Sequence, residues 1–385
     1  MMKKVFEKQR VTDFESKECS GCGLCENVCP KGCITMSEDS LGYKRPLIDD
    51  SNCIDCGLCS KQCVIVHPTE TITPMTTSAA VRSDKDKIKL SSSGGVFAAI
   101  AEHLISKGWM VAGCIIDADL NPRHILTDDV KELRRMYGSK YVQSDTNGIY
   151  KSVKDAIRSG RRVLFSGTPC QVAAVKRYTK SNEYLLTIEV ICHGVPNNMI
   201  WQEFLRWNER KYNGKIQDAK FRDKSYGWKC HFESVTINNK KHKTKRFCLM
   251  FYENDILRPS CYECKYASLD RVGDFTLGDF WGIKKQYKDM FDKTGCSLFF
   301  INTERGQELF SKVEDEFILK DADVIKASYP NPNLRFPTPK PERREYFWEL
   351  YRKHDFDTLM KIYNKKLFVS RIKKNVNRNK SMIKK

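Results

Sequence analysis

The sequence predicts an α+β protein in two parts, a small cysteine-bound N-terminal module and a larger mixed α/β domain with a partly parallel sheet. Three observations predict it. Eight cysteines fall in two evenly spaced runs between Cys19 and Cys63. The segment HPTETITPMTTS, residues 67–78, is rich in Pro, Thr and Ser and reads as a linker. From Ala79 onward, apolar segments of strand length alternate with segments of helical period.

In the first module, Cys19-x2-Cys22-x2-Cys25-x3-Cys29-Pro30 is followed by Cys53-x2-Cys56-x2-Cys59-x3-Cys63. This is the bacterial two-cluster ferredoxin run written twice, in which the fourth cysteine of each run ligates the other cluster. Two [4Fe–4S] clusters are therefore expected, one on Cys19, Cys22, Cys25 and Cys63, the other on Cys53, Cys56, Cys59 and Cys29. The competing reading, a pair of zinc sites, favours two-plus-two ligand spacing. Gly23 and Gly57 suit tight turns that aim several thiolates at one point. Val64 stands where the second run would have proline, and Cys33 is surplus and expected to be buried. Ile34–Met36 and Tyr43–Ile48 read as short strands.

In the body, Ser91-Ser92-Ser93-Gly94-Gly95 precedes a helix with Val96, Phe97, Ile100, Leu104 and Ile105 on one face. Gly108 closes that helix, and Trp109–Ile116 follows as a strand. A serine- and glycine-rich helix start is a ready anion site, although an ordinary capped helix explains it as well. Further on, Arg162–Ser166 reads as a strand, Thr168 as an N-cap and Pro169 as the first residue of a helix to about Tyr178. Tyr184–Ile191 completes a β-α-β unit with parallel strands. Cys170 and Cys192 each follow one of these strands, so both belong at the carboxyl edge of the sheet, where α/β proteins place ligands. Cys170 also lies in a helix's first turn, which is expected to lower its pKa. With Cys261-x2-Cys264 these residues could close a third metal site, for iron–sulfur or for zinc.

The formal charge of +19 raises the question of nucleic acid, but its distribution argues against it. Residues 1–70 hold nine Lys/Arg and eleven Asp/Glu, whereas 361–385 hold ten Lys/Arg and no acid. In that tail Ile362, Val369, Ile372 and Val376 recur at near-helical spacing, a pattern that admits peripheral contact with an anionic membrane. A solvated basic tail is the alternative. The longest apolar window, Gly94–Ile116, is broken by Glu102, His103 and Lys107 and is not a membrane span. The opening MMKKVFEKQR lacks an apolar h-region, so a cytoplasmic location is expected.

The ordered segments SSSGGVF, GSKYVQSD, GTPCQ, ICHG, FRDKSYGW, CYECKY and GDFTLGDFWG carry a resemblance. Together they resemble the coenzyme F420 hydrogenase/dehydrogenase beta-subunit family, in the form fused to an N-terminal ferredoxin, over roughly residues 15–305. The resemblance implies a flavin-and-iron–sulfur oxidoreductase. It makes Cys170, Cys192, Cys261 and Cys264 ligands of a third [4Fe–4S] cluster. It also makes Ser93, Gly94, Gly95, Lys140, Gly167 and Thr168 candidates for holding FAD; no GxGxxG fingerprint is present to support this independently. The expected role is electron relay through the clusters to a flavin that reduces or oxidises an unidentified small-molecule substrate. The alternative is a non-catalytic electron-transfer subunit, and either role calls for an electron donor or acceptor protein. His193 reads as a structural histidine before a proton donor, and Asp279 as a turn-former before an acid. The aromatic and lysine-rich stretch Trp201–Phe251 is either a substrate or partner surface or an antiparallel sheet with an aromatic core. The expected organisation is ferredoxin 1–66, linker 67–78, flavin-binding part 79–155, third-cluster part 156–345 and basic tail 346–385.

Overall fold

The computed structural model describes residues 10–13, 18–362 and 365. Its strands are β1 Ile34–Glu38, β2 Lys44–Ile48, β3 Thr76–Arg82, β4 Met110–Ile116, β5 Pro122–Thr127, β6 Val163–Gly167 and β7 Leu185–Val190. They continue with β8 Ile216–Lys220, β9 Glu233–Ile237, β10 Lys240–Thr244, β11 Phe275–Asp279, β12 Ser297–Ile301 and β13 Phe317–Asp321.

The N-terminal module is an antiparallel β1–β2 hairpin, Ile34 opposite Ile48, with the short helices Leu24–Val28 and Leu58–Lys61. Each helix starts behind a glycine in the left-handed region, Gly23 at φ 77° and Gly57 at φ 66°, a conformation that side chains with a Cβ resist. The module is packed against the body. Leu24 and Val64 join Tyr150, Val153, Val172 and Val175 in one apolar cluster, from the helices Ile149–Arg158 and Pro169–Thr179. Thr76–Ser78, placed in the linker by composition, lie in β3.

An eight-stranded sheet in the order β13-β3-β12-β11-β7-β6-β4-β5 forms the centre of the body. Its four inner strands, β11, β7, β6 and β4, run parallel, and the flanking pairs are antiparallel. The predicted β-α-β unit is present: Val163 to Gly167 pair with Leu185 to Glu189, and the helix between them begins at Pro169 behind Thr168. Alternation sorts the strand side chains. Val163, Phe165 and Leu185 face the helices at 149–158 and 169–179, while Leu164, Leu186 and Ile188 face the helix Val96–Ser106 on the other side.

A smaller lobe holds the antiparallel sheet β10-β9-β8 and the helix Asn198–Tyr212. Here the aromatic richness of 201–251 builds a core. Trp201, Phe204, Phe221 and Phe247 are all buried in it, and Trp201 lies 4.0 Å from Phe221, ring centre to ring centre. Burying each such ring contributes on the order of 2 kcal/mol. The helix Arg344–Lys353 adds Phe347, Trp348 and Leu350 to this core, followed by Phe356, Leu359 and Met360. Residues 346–360 are thus part of the lobe rather than of a tail, because their apolar side chains close it. The expected pattern Val369, Ile372 and Val376 lies outside the described residues. Among those described, no helix is long and apolar enough to cross a membrane.

Candidate functional site

All seventeen cysteines are free of disulfides. In the N-terminal module, Cys22 and Cys25 are buried and Cys56 is exposed. Cys33 is buried as expected, but it is not remote from the ligand set: its Sγ lies 3.4 Å from that of Cys29. The Cys22 carbonyl accepts hydrogen bonds from Tyr150 Oη at 2.7 Å and Thr146 Oγ1 at 3.0 Å. The ligand loop is thereby tied to the body.

Cys170, Cys192, Cys261 and Cys264 come from three separate segments, with Cys170 just past the carboxyl end of β6 and Cys192 just past that of β7. The turn after Cys192 passes directly over Cys261; a Cβ added to Gly194 would lie 3.2 Å from that of Cys261. Burial pushes the Cys192 thiol up, and the charges of Cys261, Cys170 and Cys264 push it further, so these groups are mutual neighbours. Cys261 is raised to about 12, by burial first and then by Cys264 and Cys170. Cys170 stands at about 11, which corrects the lowered pKa expected from its place in the helix. Burial outweighs the helix start, even with the Thr168 hydroxyl 3.2 Å from the sulfur. On the other side, burial and then the charge of Cys170 raise Cys22, so this group adjoins the Cys19, Cys22, Cys25, Cys63 set. Among the described residues no three His, Cys, Asp or Glu side chains close on a single-ion position.

Above the four cysteines, a cavity of about 470 Å³ opens at the sheet's carboxyl edge, within the range of ligand pockets. Ser93, Lys140, Gly167, Thr168 and Cys192 all line it. Gly94 and Gly95 do not line it. Their N–H groups are already used, Gly94 on Ser297 Oγ at 2.9 Å and Gly95 on the Ser92 carbonyl at 3.0 Å. The Ser93 hydroxyl donates to the Cys296 carbonyl at 2.8 Å. The N–H groups of Gly94 and Gly95 are thus committed within the protein, whereas Val96, Phe97 and Ala98 of the helix's first turn line the cavity with no side chain capping them. Lys140 Nζ donates to the carbonyls of Arg135, Met136 and Tyr137 at 3.0, 2.7 and 3.0 Å. All three of its donors are committed, so it acts on the cavity as a fixed charge. Burial pulls its pKa down to about 8, while the carbonyl end of the helix Val130–Met136 favours the ammonium. Thr168 forms a capping box with Gln171.

Other wall residues were not foreseen. His124 Nε2 lies 2.9 Å from the Ser166 carbonyl and Nδ1 2.9 Å from Ser144 Oγ, and burial lowers its pKa to about 4. An aromatic face joins Tyr141 and Phe251, stacked at 4.6 Å, with Tyr252, whose hydroxyl donates to that of Tyr141 at 3.0 Å. GSKYVQSD contains Tyr141 and the run ending Phe251 stops one residue short of Tyr252, and only the fold brings the three rings together. His193 faces the cavity with Nε2 2.7 Å from Asn254 Oδ1, and burial lowers its pKa. Asp279 closes β11 as an ion-pair anchor, accepting from Arg222 and from Trp228 Nε1.

Sharing the wall from Ser91 to Ser93 and from Tyr137 to Lys140, a second cavity of about 740 Å³ opens to solvent. Its rim is basic. Arg134, Lys220 and Lys293 are exposed there and form no ion pair among the described residues.

Residues 77–151 match the N-terminal region of the coenzyme F420 hydrogenase/dehydrogenase beta subunit, and residues 160–325 match its C terminus. Residues 18–65 match the 4Fe-4S dicluster domain. An F(420)H(2) dehydrogenase subunit of Methanosarcina mazei is 24% identical over 371 residues, 88% of this chain and 94% of that protein. The coenzyme F420-dependent sulfite reductase of Methanocaldococcus jannaschii is 25% identical over 167 residues, 42% of this chain and 25% of that protein. A chain of the F420-reducing [NiFe] hydrogenase complex from Methanosarcina barkeri shares 17% identity at a TM-score of 0.47, over 69% of this chain and 90% of its own.

Proposed function

The chain belongs to the coenzyme F420 hydrogenase/dehydrogenase beta-subunit family, and from that premise we propose an iron–sulfur flavoprotein with a third [4Fe–4S] cluster and FAD. Cys170, Cys192, Cys261 and Cys264 would hold the third cluster. The cavity lined by Ser93, Lys140, Gly167 and Thr168 would hold the flavin. When bound, the clusters supply one-electron steps and the flavin couples them to a two-electron exchange with a diffusible substrate.

The observation that carries this reading is the double membership of Cys192, which belongs to the four-cysteine group and also lines the cavity. Cys22 feels the charge of Cys170 in turn, which supports a path from the ferredoxin module toward the cavity. The donor chemistry fits: four unbridged, half-buried thiols, whose protons a bound cluster displaces. Lys140 contributes a fixed positive charge on the cavity wall. Tyr141 and Phe251 offer a flat aromatic face to the cavity. The basic rim at Arg134, Lys220 and Lys293 would steer an anionic substrate inward.

Anaerobic reconstitution with iron, sulfide and flavin assays tests the proposal. About twelve irons and one flavin per chain are expected; about eight irons without flavin would leave a ferredoxin fused to a domain of other function. A non-catalytic subunit is the second reading, favoured by Cys56 and Ile54 at the surface, where a partner protein would reach the outer cluster. Anaerobic reoxidation of the isolated, reduced chain by candidate small molecules separates the two. Turnover without a partner excludes the second reading.

A further inference from the structure

Arg258 is wholly buried, yet among the described residues no carboxylate balances its charge. Each of the other buried arginines has one: Arg82 pairs with Glu102 and Glu316, Arg271 with Glu189 and Arg344 with Glu345. The Arg258 guanidinium is instead committed to neutral acceptors. Nε donates to Gln143 Oε1 at 2.9 Å, Nη1 to the Cys19 carbonyl at 3.2 Å and Nη2 to the Lys44 carbonyl at 2.9 Å. The Tyr43 ring lies 5.3 Å away. Burying a cation with no counter-charge is strongly unfavourable, so an anionic group belongs beside it.

Its position says which one. Arg258 touches the loop that carries Cys19; a Cβ on Gly21 would sit 2.5 Å from Nη2, so that loop runs directly against the guanidinium. Gln143, held by Arg258, donates onward to the Ser20 and Gly21 carbonyls at 2.8 and 3.0 Å. On its other side Arg258 begins the turn Pro259–Glu263, and its carbonyl accepts from the Cys261 N–H at 2.9 Å. The residue therefore stands where the Cys19 group and the Cys170 group face each other.

We propose that the counter-charge of Arg258 is the pair of iron–sulfur clusters on either side of it, and that this guanidinium is the positioning residue that sets their reduction potentials. For the cluster on Cys170, Cys192, Cys261 and Cys264 the inference rests on the function proposed above. A cluster with its four thiolates is anionic, and becomes more so on reduction. A fixed cation in a low-dielectric setting stabilises the reduced form more than the oxidised form and raises the potential. Arg258 makes none of its hydrogen bonds to the loops of Cys29, Cys53, Cys56 or Cys59, so an outer cluster held there should sense it least. The same hydrogen bonds hold the ferredoxin loop in register with the body, so charge and geometry act through one residue.

The test is a potentiometric titration, followed by EPR, of the anaerobically reconstituted full chain and its Arg258→Gln and Arg258→Lys variants. In Arg258→Gln, two of the three couples move to more negative potential while the third moves least; in Arg258→Lys, which keeps the charge, both shifts are smaller. Unchanged potentials in Arg258→Gln at full iron content overturn the proposal. Should Arg258→Gln load iron poorly, recovery of iron in Arg258→Lys supports the need for charge, and an equal loss in both variants overturns it. A wild-type content of about eight irons would refute the third cluster instead. The inference would then be decided on the couple of the Cys19 group alone, where a shift sustains it and no shift ends it.

Discussion

At Cys170 two effects oppose each other. The start of a helix favours a thiolate, whereas the apolar wall around the sulfur favours the thiol, and the wall prevails, leaving the group near pKa 11. A residue protonated at neutral pH is a poor free nucleophile and a sound cluster ligand, since metal binding displaces the proton. Replacing Cys170 with Ser should therefore remove about four of about twelve irons and leave the two ferredoxin signals intact, as read by iron assay and EPR. His124 makes a second residue-scale case. Burial lowers its pKa from 6.5 to about 4, so the unfolded chain binds more protons between those values. Its contribution is complete above pH 6.5 and is lost as pH falls toward 4, by roughly 3 kcal/mol in total. Thermal melts across that window should show a shallower acid slope in His124→Gln than in the wild type.

The Ser91–Gly95 turn shows how two residues of one element can serve different ends. The periodicity gave the helix, and the serines and glycines suggested an anion cradle. In the fold, Gly94 is instead the point where the turn crosses β3: an added Cβ would meet the Ala80 carbonyl oxygen at 2.0 Å and the Ser297 nitrogen at 2.8 Å. Both are sheet backbone and cannot yield. Gly94→Ala should cost about 3 kcal/mol or more, measured by denaturant unfolding. The Thr168 N-cap, by contrast, was legible in the sequence, and the fold adds Gln171 to it as a capping box. Its loss in Thr168→Ala should cost about 1 kcal/mol and also disturb Cys170, whose sulfur rests on that hydroxyl. Both readings of the stretch 201–251 hold in part: the rings at 201, 204, 221 and 247 are core of the three-stranded sheet, whereas Phe251 also faces the cavity. Tyr252 and the lysines of β10 remain outside that core.

Across the whole molecule, the ferredoxin module and the body share one apolar cluster and the Arg258–Gln143 clasp, so the cysteine groups are held at fixed separations. The basic tail is a separate question. A chain ending at Met360 keeps Phe356, Leu359 and Met360 in the core and should fold. Flotation of this chain and the full one with anionic liposomes then tests the membrane expectation; equal flotation would discard it.

Spacing alone determined the two-cluster module, the β-α-β unit and the edge on which Cys170 and Cys192 stand, because ligand runs, caps and strand periodicity are local and repeat along the chain. Cys261 and Cys264 could be grouped with those two from the sequence as a possibility, but the cavity that Cys192 enters and the uncompensated charge of Arg258 were decided only by the tertiary structure. Their physical basis is register and burial. Residues far apart in sequence become neighbours when sheet strands align, and a charge becomes an obligation only after water is removed. The parallel strands that the sequence predicted thus proved to be the platform, while their packing against the ferredoxin module selected what stands on it.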